Sequence, residues 1–93
     1  METNEARRYL VCGLVQGVGF RYFVLRRAQE RGVVGFVRNL PAGPVEVLAE
    51  GGAEALDGLR RDLEIGSRFS KVSKVEEVGE SPTGRYATFS IRD

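Results

Sequence analysis

Between Leu14 and Tyr22 the hydrophobic period of the chain changes, and a loop with glycine at alternate positions, Gly17 and Gly19, makes the change. Before it, from Tyr9 to Leu14, the period is two. Tyr9, Val11, Gly13 and Val15 fall on one side and Leu10, Cys12 and Leu14 on the other, as on a strand whose side chains alternate between faces. Both sides are apolar, so the strand belongs inside a sheet. After the loop, Tyr22 to Arg31 reads as a helix. Phe20, Val24 and Ala28, with Phe23 nearby, make one apolar stripe at helical spacing, and Arg26, Arg27, Gln29, Glu30 and Arg31 read as the solvated side. Gly32 follows at the position where helices commonly end in a left-handed residue.

A strand feeding a glycine-bearing loop that opens a helix is suitable geometry for binding an anion. The first helical N–H groups have no acceptor within the helix, and the helix dipole is positive at that end. Glycine lets the backbone turn through positive φ, so that successive N–H groups point into one concavity. Arg21, at the loop exit, adds a planar fork of donors matched to phosphate or carboxylate. On spacing alone the same stretch also reads as a tight turn followed by a solvated arginine. Two other phosphate loops do not fit. The dinucleotide fingerprint requires a third glycine where Tyr22 stands, and the P-loop requires Gly-Lys-Ser/Thr, a triplet the chain lacks.

The remaining elements complete a fold. Val33 to Arg38, rich in β-branched and aromatic residues, is a second strand that ends at Asn39-Leu40-Pro41. Ala42-Gly43-Pro44 turns the chain into a third strand, Val45 to Glu50, with Val45, Val47 and Ala49 inward and Glu46, Leu48 and Glu50 outward. So short a connection makes a hairpin. After Gly51-Gly52 a second helix runs from Ala53 to Ile65 on Leu56, Leu59 and Leu63. Gly58 weakens it by about 1 kcal/mol relative to alanine. Val72, Val75 and Val78 are three apart, which suits a helix, yet the run is short and β-branched, and it reads as a strand with a bulge. Ser81-Pro82-Thr83-Gly84 is a turn, and Ala87, Phe89 and Ile91 alternate in a last strand. The order is strand, helix, strand, strand, helix, strand and one extra strand. That is an α+β, ferredoxin-like split β-α-β sandwich: an antiparallel sheet with two helices on one face and an extra C-terminal strand. Residues 1–93 read as a single domain whose polar tail, residues 1–6, is expected to fray.

Composition narrows the function classes. Lys and Arg total 14 against 13 Asp and Glu, a net charge of +1, too even for a general nucleic-acid or membrane binder. No apolar run approaches the length of a membrane span. Met1-Glu2-Thr3-Asn4-Glu5-Ala6 carries acidic residues and no apolar core, unlike a secretory leader. The single cysteine, Cys12, permits no disulfide within the chain, and a reducing cytoplasm is expected. Cys12 reads as a small apolar residue, lacking the histidine that partners a catalytic thiol. Histidine is absent altogether, which removes it as base, phosphorylated nucleophile and metal ligand and argues against zinc and triad chemistry.

Val15-Gln16-Gly17-Val18-Gly19-Phe20-Arg21 resembles the signature of the acylphosphatases. Gly35-Phe36-Val37-Arg38-Asn39 resembles the second signature of that family, glycine-aromatic-Val-Arg-Asn. A third similarity runs through Gly43-Pro44-Val45-Glu46-Val47 and Ala49-Glu50-Gly51, and the whole resemblance covers roughly residues 8 to 92. It implies hydrolysis of the carboxyl–phosphate bond of an acyl phosphate to a carboxylate and inorganic phosphate, without metal or cofactor. Carried over by position, it implies that Arg21 and the backbone N–H groups of Gln16, Gly17, Val18, Gly19 and Phe20 hold the phosphoryl group. Asn39 is implied to hold the attacking water, with the substrate phosphate accepting the proton. Taken alone, an asparagine before a proline-containing turn reads as a turn former. An acyl phosphate has a good leaving group, and phosphoryl transfer is mostly positioning and charge stabilisation, so a sparse site suffices. Glu46, Glu50, Asp57 and Asp62 lie outside the roles so assigned and read as solvated surface. Arg31 stands where many relatives carry an apolar residue, a difference expected to affect packing.

The competing class is a non-catalytic ferredoxin-like binding module for RNA or an acidic ligand, because such folds bind RNA through aromatics on the central strands. Arg31-Gly32-Val33-Val34-Gly35-Phe36-Val37 partly matches that motif. It lies on the second strand and not the third, with Val33 where the first aromatic belongs. A third reading is a regulatory domain of the kind found inside larger maturation enzymes. A chain of this length reads instead as a free-standing monomeric enzyme with no nucleic-acid or membrane partner.

Overall fold

The computed structural model describes residues 4–93. Strand β1 (Glu5–Leu14) leads through the glycine loop into helix α1 (Phe20–Arg31). Strands β2 (Val34–Asn39) and β3 (Val45–Gly51) form the hairpin, and helix α2 (Ala53–Ile65), strand β4 (Lys71–Glu80) and strand β5 (Phe89–Arg92) follow. The sheet order is β4-β1-β3-β2-β5. Strands β1 to β4 pair antiparallel, and β5 adds parallel to β2, so the sheet is mixed. β1 lies between β4 and β3, inside the sheet as expected. The α+β, ferredoxin-like arrangement read from the element order is the one observed.

The core sits between the sheet and the helices. Tyr9, Val11, Val37, Val45, Val47 and Ala49 from the strands meet Phe20, Val24 and Ala28 of α1 and Leu56, Leu59 and Leu63 of α2. The Tyr9 hydroxyl donates to the Leu56 carbonyl at 2.9 Å, tying β1 to α2. Burial pushes that hydroxyl up to about 12.

Two boundaries differ from expectation. Glu5 and Ala6 do not fray: they pair with Gly51 and Glu50, and Ala6 is buried. Pairing with β3 satisfies their backbone groups, which polar neighbours in sequence do not reveal. Residues 1–3 of the expected tail lie outside the described residues. Helix α1 opens at Phe20, ahead of Tyr22, so Arg21 lies in its first turn.

Strand β4 carries the irregularity that the valine spacing implied. Cys12 pairs with Lys74 and Gly13 with Val72, which leaves Ser73 as an extra residue. The extra residue turns Val72 and Val75 to one side. There Val75 is buried and Val72 packs on the core, while Val78 is exposed. Gly13 is required opposite the bulge: its φ is 125°, and a Cβ there would stand 2.2 Å from the Lys71 carbonyl oxygen.

Three carboxylates expected at the solvated surface are buried. Asp62 of α2, 4% exposed, accepts from Arg27 Nη2 at 2.9 Å and Arg31 Nε at 2.5 Å, both on α1. Arg31 therefore clamps the two helices, where an apolar residue would only pack. Its guanidinium lies over Gly58, where a Cβ would come within 2.3 Å of Nη1. The glycine that weakens α2 thus makes room for the clamp. Glu46 is bonded by Arg8 and Arg38 from the two neighbouring strands. Glu50 accepts from the Thr83 and Gly84 N–H groups, each at 3.0 Å, and from the Thr83 hydroxyl at 2.9 Å. On the sheet face that carries no helix, these side chains and the turn at Thr83 do the covering. Asp57 stays exposed, although Arg7 Nη1 reaches it at 2.5 Å.

The clamp makes stability acid-sensitive. Burial alone would raise the Asp62 carboxyl, but Arg31 and Arg27 hold it below its ordinary value. Against the same effect of burial, Thr83 and Gly84 hold the Glu50 carboxyl low. Both contribute stability that is fully present above the unfolded carboxyl value of about 4 and is lost as pH falls through the lower folded values. Asp62→Ala is expected to cost about 1–3 kcal/mol at neutral pH and to lose less on acidification than wild type. Thermal melts from neutral to strongly acidic pH check both. A melting point unchanged at neutral pH would contradict the clamp.

Candidate active site

The loop after β1 is held in shape by two glycines and one glutamine. Gly17 and Gly19 both take φ 75°. Gly19 caps α1 with no side-chain hydrogen bond, and the first helical bond runs from the Phe23 N–H to the Gly19 carbonyl at 3.1 Å. The N–H groups of Phe20, Arg21 and Tyr22 therefore precede the intrahelical ladder and present positive charge at the loop. Gln16 Nε2 donates to the Leu40 carbonyl at 2.8 Å and to the Pro44 carbonyl at 3.0 Å. That side chain ties the loop to the β2–β3 turn, which begins just after Asn39.

Arg21 and Asn39 line one cavity of about 210 Å³, together with Val15, Gly17, Gly19, Phe20, Tyr22 and Ile91. Of the five backbone positions expected to cradle an anion, Gly17, Gly19 and Phe20 line this cavity, whereas Gln16 and Val18 do not. Val18 packs partly buried against the core instead. Arg21 Nη1 donates to the Arg92 carbonyl at 3.1 Å and stands 3.8 Å from Asp93 Oδ1. Its side chain is about one-third exposed, at 34%, and only one of its nitrogens is engaged by these contacts. Asn39 is the last residue of β2, paired with Val45. Its side-chain Oδ1 is buried and has no hydrogen-bond partner among the described residues. An acceptor left so costs about 1–3 kcal/mol, which a bound donor such as water would recover.

This cavity joins the two stretches that carry the sequence signatures, and the family model for acylphosphatase matches residues 7–91. The chain belongs to the acylphosphatase family. It is 49% identical over 90 residues to an acylphosphatase from Koribacter versatilis, covering 97% of this chain and 82% of that one. It is 51% identical over 81 residues to an acylphosphatase from Alkalilimnicola ehrlichii, covering 85% and 91%. The crystal structure of acylphosphatase from Bacillus subtilis matches with a TM-score of 0.92 at 40% identity, covering 96% of this chain and 99% of that one. Membership makes the chain a hydrolase.

Three features of this cavity lay outside the sequence reading. Tyr22 and Ile91 form part of its wall, and the Arg92 carbonyl holds Arg21. Ile91 and Arg92 reach the cavity because β5 pairs beside β2, with Ile91 opposite Val37, whereas Tyr22 comes from the first turn of α1. The alternation of Phe89 and Ile91 signals a strand, but nothing local to it names the neighbour. The aromatic on which an RNA-binding reading rests, Phe36, is 6% exposed, with the Arg92 guanidinium 4.0 Å from its ring centroid. Among the described residues no helix is long and apolar enough to cross a membrane.

Proposed function

We propose that this chain hydrolyses the carboxyl–phosphate bond of acyl phosphates, releasing a carboxylate and inorganic phosphate. The observation that carries the reading is the convergence of Arg21 and Asn39 on one cavity walled by Gly17 and Gly19. The phosphoryl oxygens accept from the loop N–H groups of Gly17, Gly19 and Phe20, which line the cavity, and from Arg21, whose planar fork can meet two oxygens at once. Asn39 orients a water through its side-chain amide, and the water attacks phosphorus in line with the carboxylate leaving group. Its proton passes to a phosphoryl oxygen, and the P–O bond to the acyl group breaks with its electron pair on the carboxylate. Because that leaving group is stable as an anion, the site needs no general acid. Donors fixed before the reaction supply the stabilisation of charge as it develops.

The same reading makes the reaction independent of metal. The sequence has no histidine, and the described residues contain no group of three or more metal-ligating side chains. A monomer in a reducing, cytoplasmic setting is proposed on the strength of the lone, half-buried Cys12 and the near-neutral charge. The test is colorimetric hydrolysis of benzoyl phosphate after exhaustive chelation. Full activity is expected. A large loss restored by magnesium or zinc would overturn the metal-free mechanism, and no hydrolysis under any condition would overturn the proposed activity.

A further inference from the structure

Tyr22 is 62% exposed although aromatic, and it stands between two hollows. One is the cavity that holds Arg21 and Asn39. The other, of about 320 Å³, runs along α1 and is lined by Gly19, Tyr22, Phe23, Arg26, Arg27 and Glu30. Gly19 and Tyr22 line both, so the hollows adjoin at the Tyr22 side chain. Tyr22 and Arg26 are four residues apart on one helix face, about 6 Å along its axis. Long helical side chains lean toward the N-terminus, which here is toward the cavity. Arg27 is engaged by Asp62 and Glu30. Arg26, in contrast, makes no side-chain hydrogen bond or ion pair among the described residues and is exposed.

We propose that Tyr22 and Arg26 set the acyl specificity, favouring aromatic acyl phosphates that carry a second acidic group at the far end of the ring. The inference rests on the reading of the cavity as an acyl-phosphate site. With the phosphoryl group at the loop, the acyl half leaves the cavity between Tyr22 and Ile91, the latter 36% exposed. Its ring then lies against Tyr22, and its distal carboxylate meets the Arg26 guanidinium. Arg27 cannot take that part, because it is already the bridge from α1 to Asp62. Glu30, at the end of the same groove, is paired with Arg27 and so does not cancel Arg26.

The test compares kcat/KM for acetyl phosphate, benzoyl phosphate and para-carboxybenzoyl phosphate. The last two share a body and differ only in the distal charge. Wild type is expected to favour the carboxylated compound about three- to fivefold, the scale of an exposed ion pair. Added salt should shrink that preference. Arg26→Ala should erase it while leaving acetyl phosphate turnover unchanged, and Arg26→Lys should keep most of it. Tyr22→Ala should lower the benzoyl-to-acetyl ratio about three- to tenfold, mainly through KM. An equal carboxybenzoyl-to-benzoyl ratio in wild type and Arg26→Ala overturns the role of Arg26. An equal benzoyl-to-acetyl ratio in wild type and Tyr22→Ala overturns that of Tyr22. In both cases hydrolysis of acetyl phosphate by wild type leaves the general activity standing. If wild type hydrolyses none of the three, both readings fall together.

Discussion

Arg21→Lys is expected to leave a folded protein whose turnover of acyl phosphate has dropped about a hundred- to a thousandfold, a loss of roughly 3–4 kcal/mol of transition-state stabilisation. The charge survives the substitution, so a purely electrostatic role would predict a small effect. Geometry is what is lost. Arg21 spends Nη1 on the Arg92 carbonyl at 3.1 Å, which leaves the rest of its fork for the cavity. One ammonium cannot hold that carbonyl and also present two coplanar donors to phosphate. The fold should survive, because a partly exposed side chain making one hydrogen bond to the protein contributes only about 1 kcal/mol. Circular dichroism and a melt beside the kinetics separate the two effects. Near wild-type turnover in a folded Arg21→Lys protein would remove Arg21 from the site.

Asn39→Ala is expected to divide catalysis from binding. If its amide holds the water and not the phosphate, turnover should fall about a hundredfold or more, the scale of losing a positioned reactant, while inorganic phosphate inhibits at unchanged concentration. Phosphate should also raise the melting temperature of wild type and Asn39→Ala alike, since a ligand that binds only the folded loop stabilises it by about 2.7 kcal/mol at a hundredfold excess over Kd. For a domain of this size that is a shift of about 10–20 °C. Arg21→Ala at matched ionic strength is the control for general salting effects of phosphate. Parallel loss of phosphate affinity and turnover in Asn39→Ala would make Asn39 a binding residue.

Much of the fold was legible because its core obeys simple periods. Tyr9, Val11 and Val15, the inward side of β3, the stripe Phe20, Val24 and Ala28 of α1 and the leucines of α2 are all read from spacing, and all are buried. The polar residues were harder. Glu46 and Glu50 alternate with valines and look solvated, yet neighbouring arginines and the turn at Thr83 cover them. Burial of that kind depends on residues more than thirty positions away in the case of Glu50, so no local pattern carries it. The valine spacing announced a bulge in β4, but only the pairing with β1 places it at Ser73. Arg21 and Asn39 stand out in the sequence because each sits in a short signature with a recognisable spacing, and the fold brings both to one cavity. The wall that β5 supplies was not found, because parallel pairing at a sheet edge is a tertiary choice. Gln16 was singled out for its backbone, whereas its side chain has the visible task of fastening the loop to the turn beyond Asn39.

In the proposed reaction, water held by Asn39 attacks phosphorus while Arg21 and the loop hold the phosphoryl group. Single-turnover hydrolysis of benzoyl phosphate in water enriched in the heavy oxygen isotope tests it most directly, with the products separated and weighed by mass spectrometry. Attack at phosphorus breaks the bond between phosphorus and the acyl oxygen, so the label is predicted in inorganic phosphate and absent from benzoate. Label in benzoate would mean that water attacks the carbonyl carbon, and that result would contradict the account.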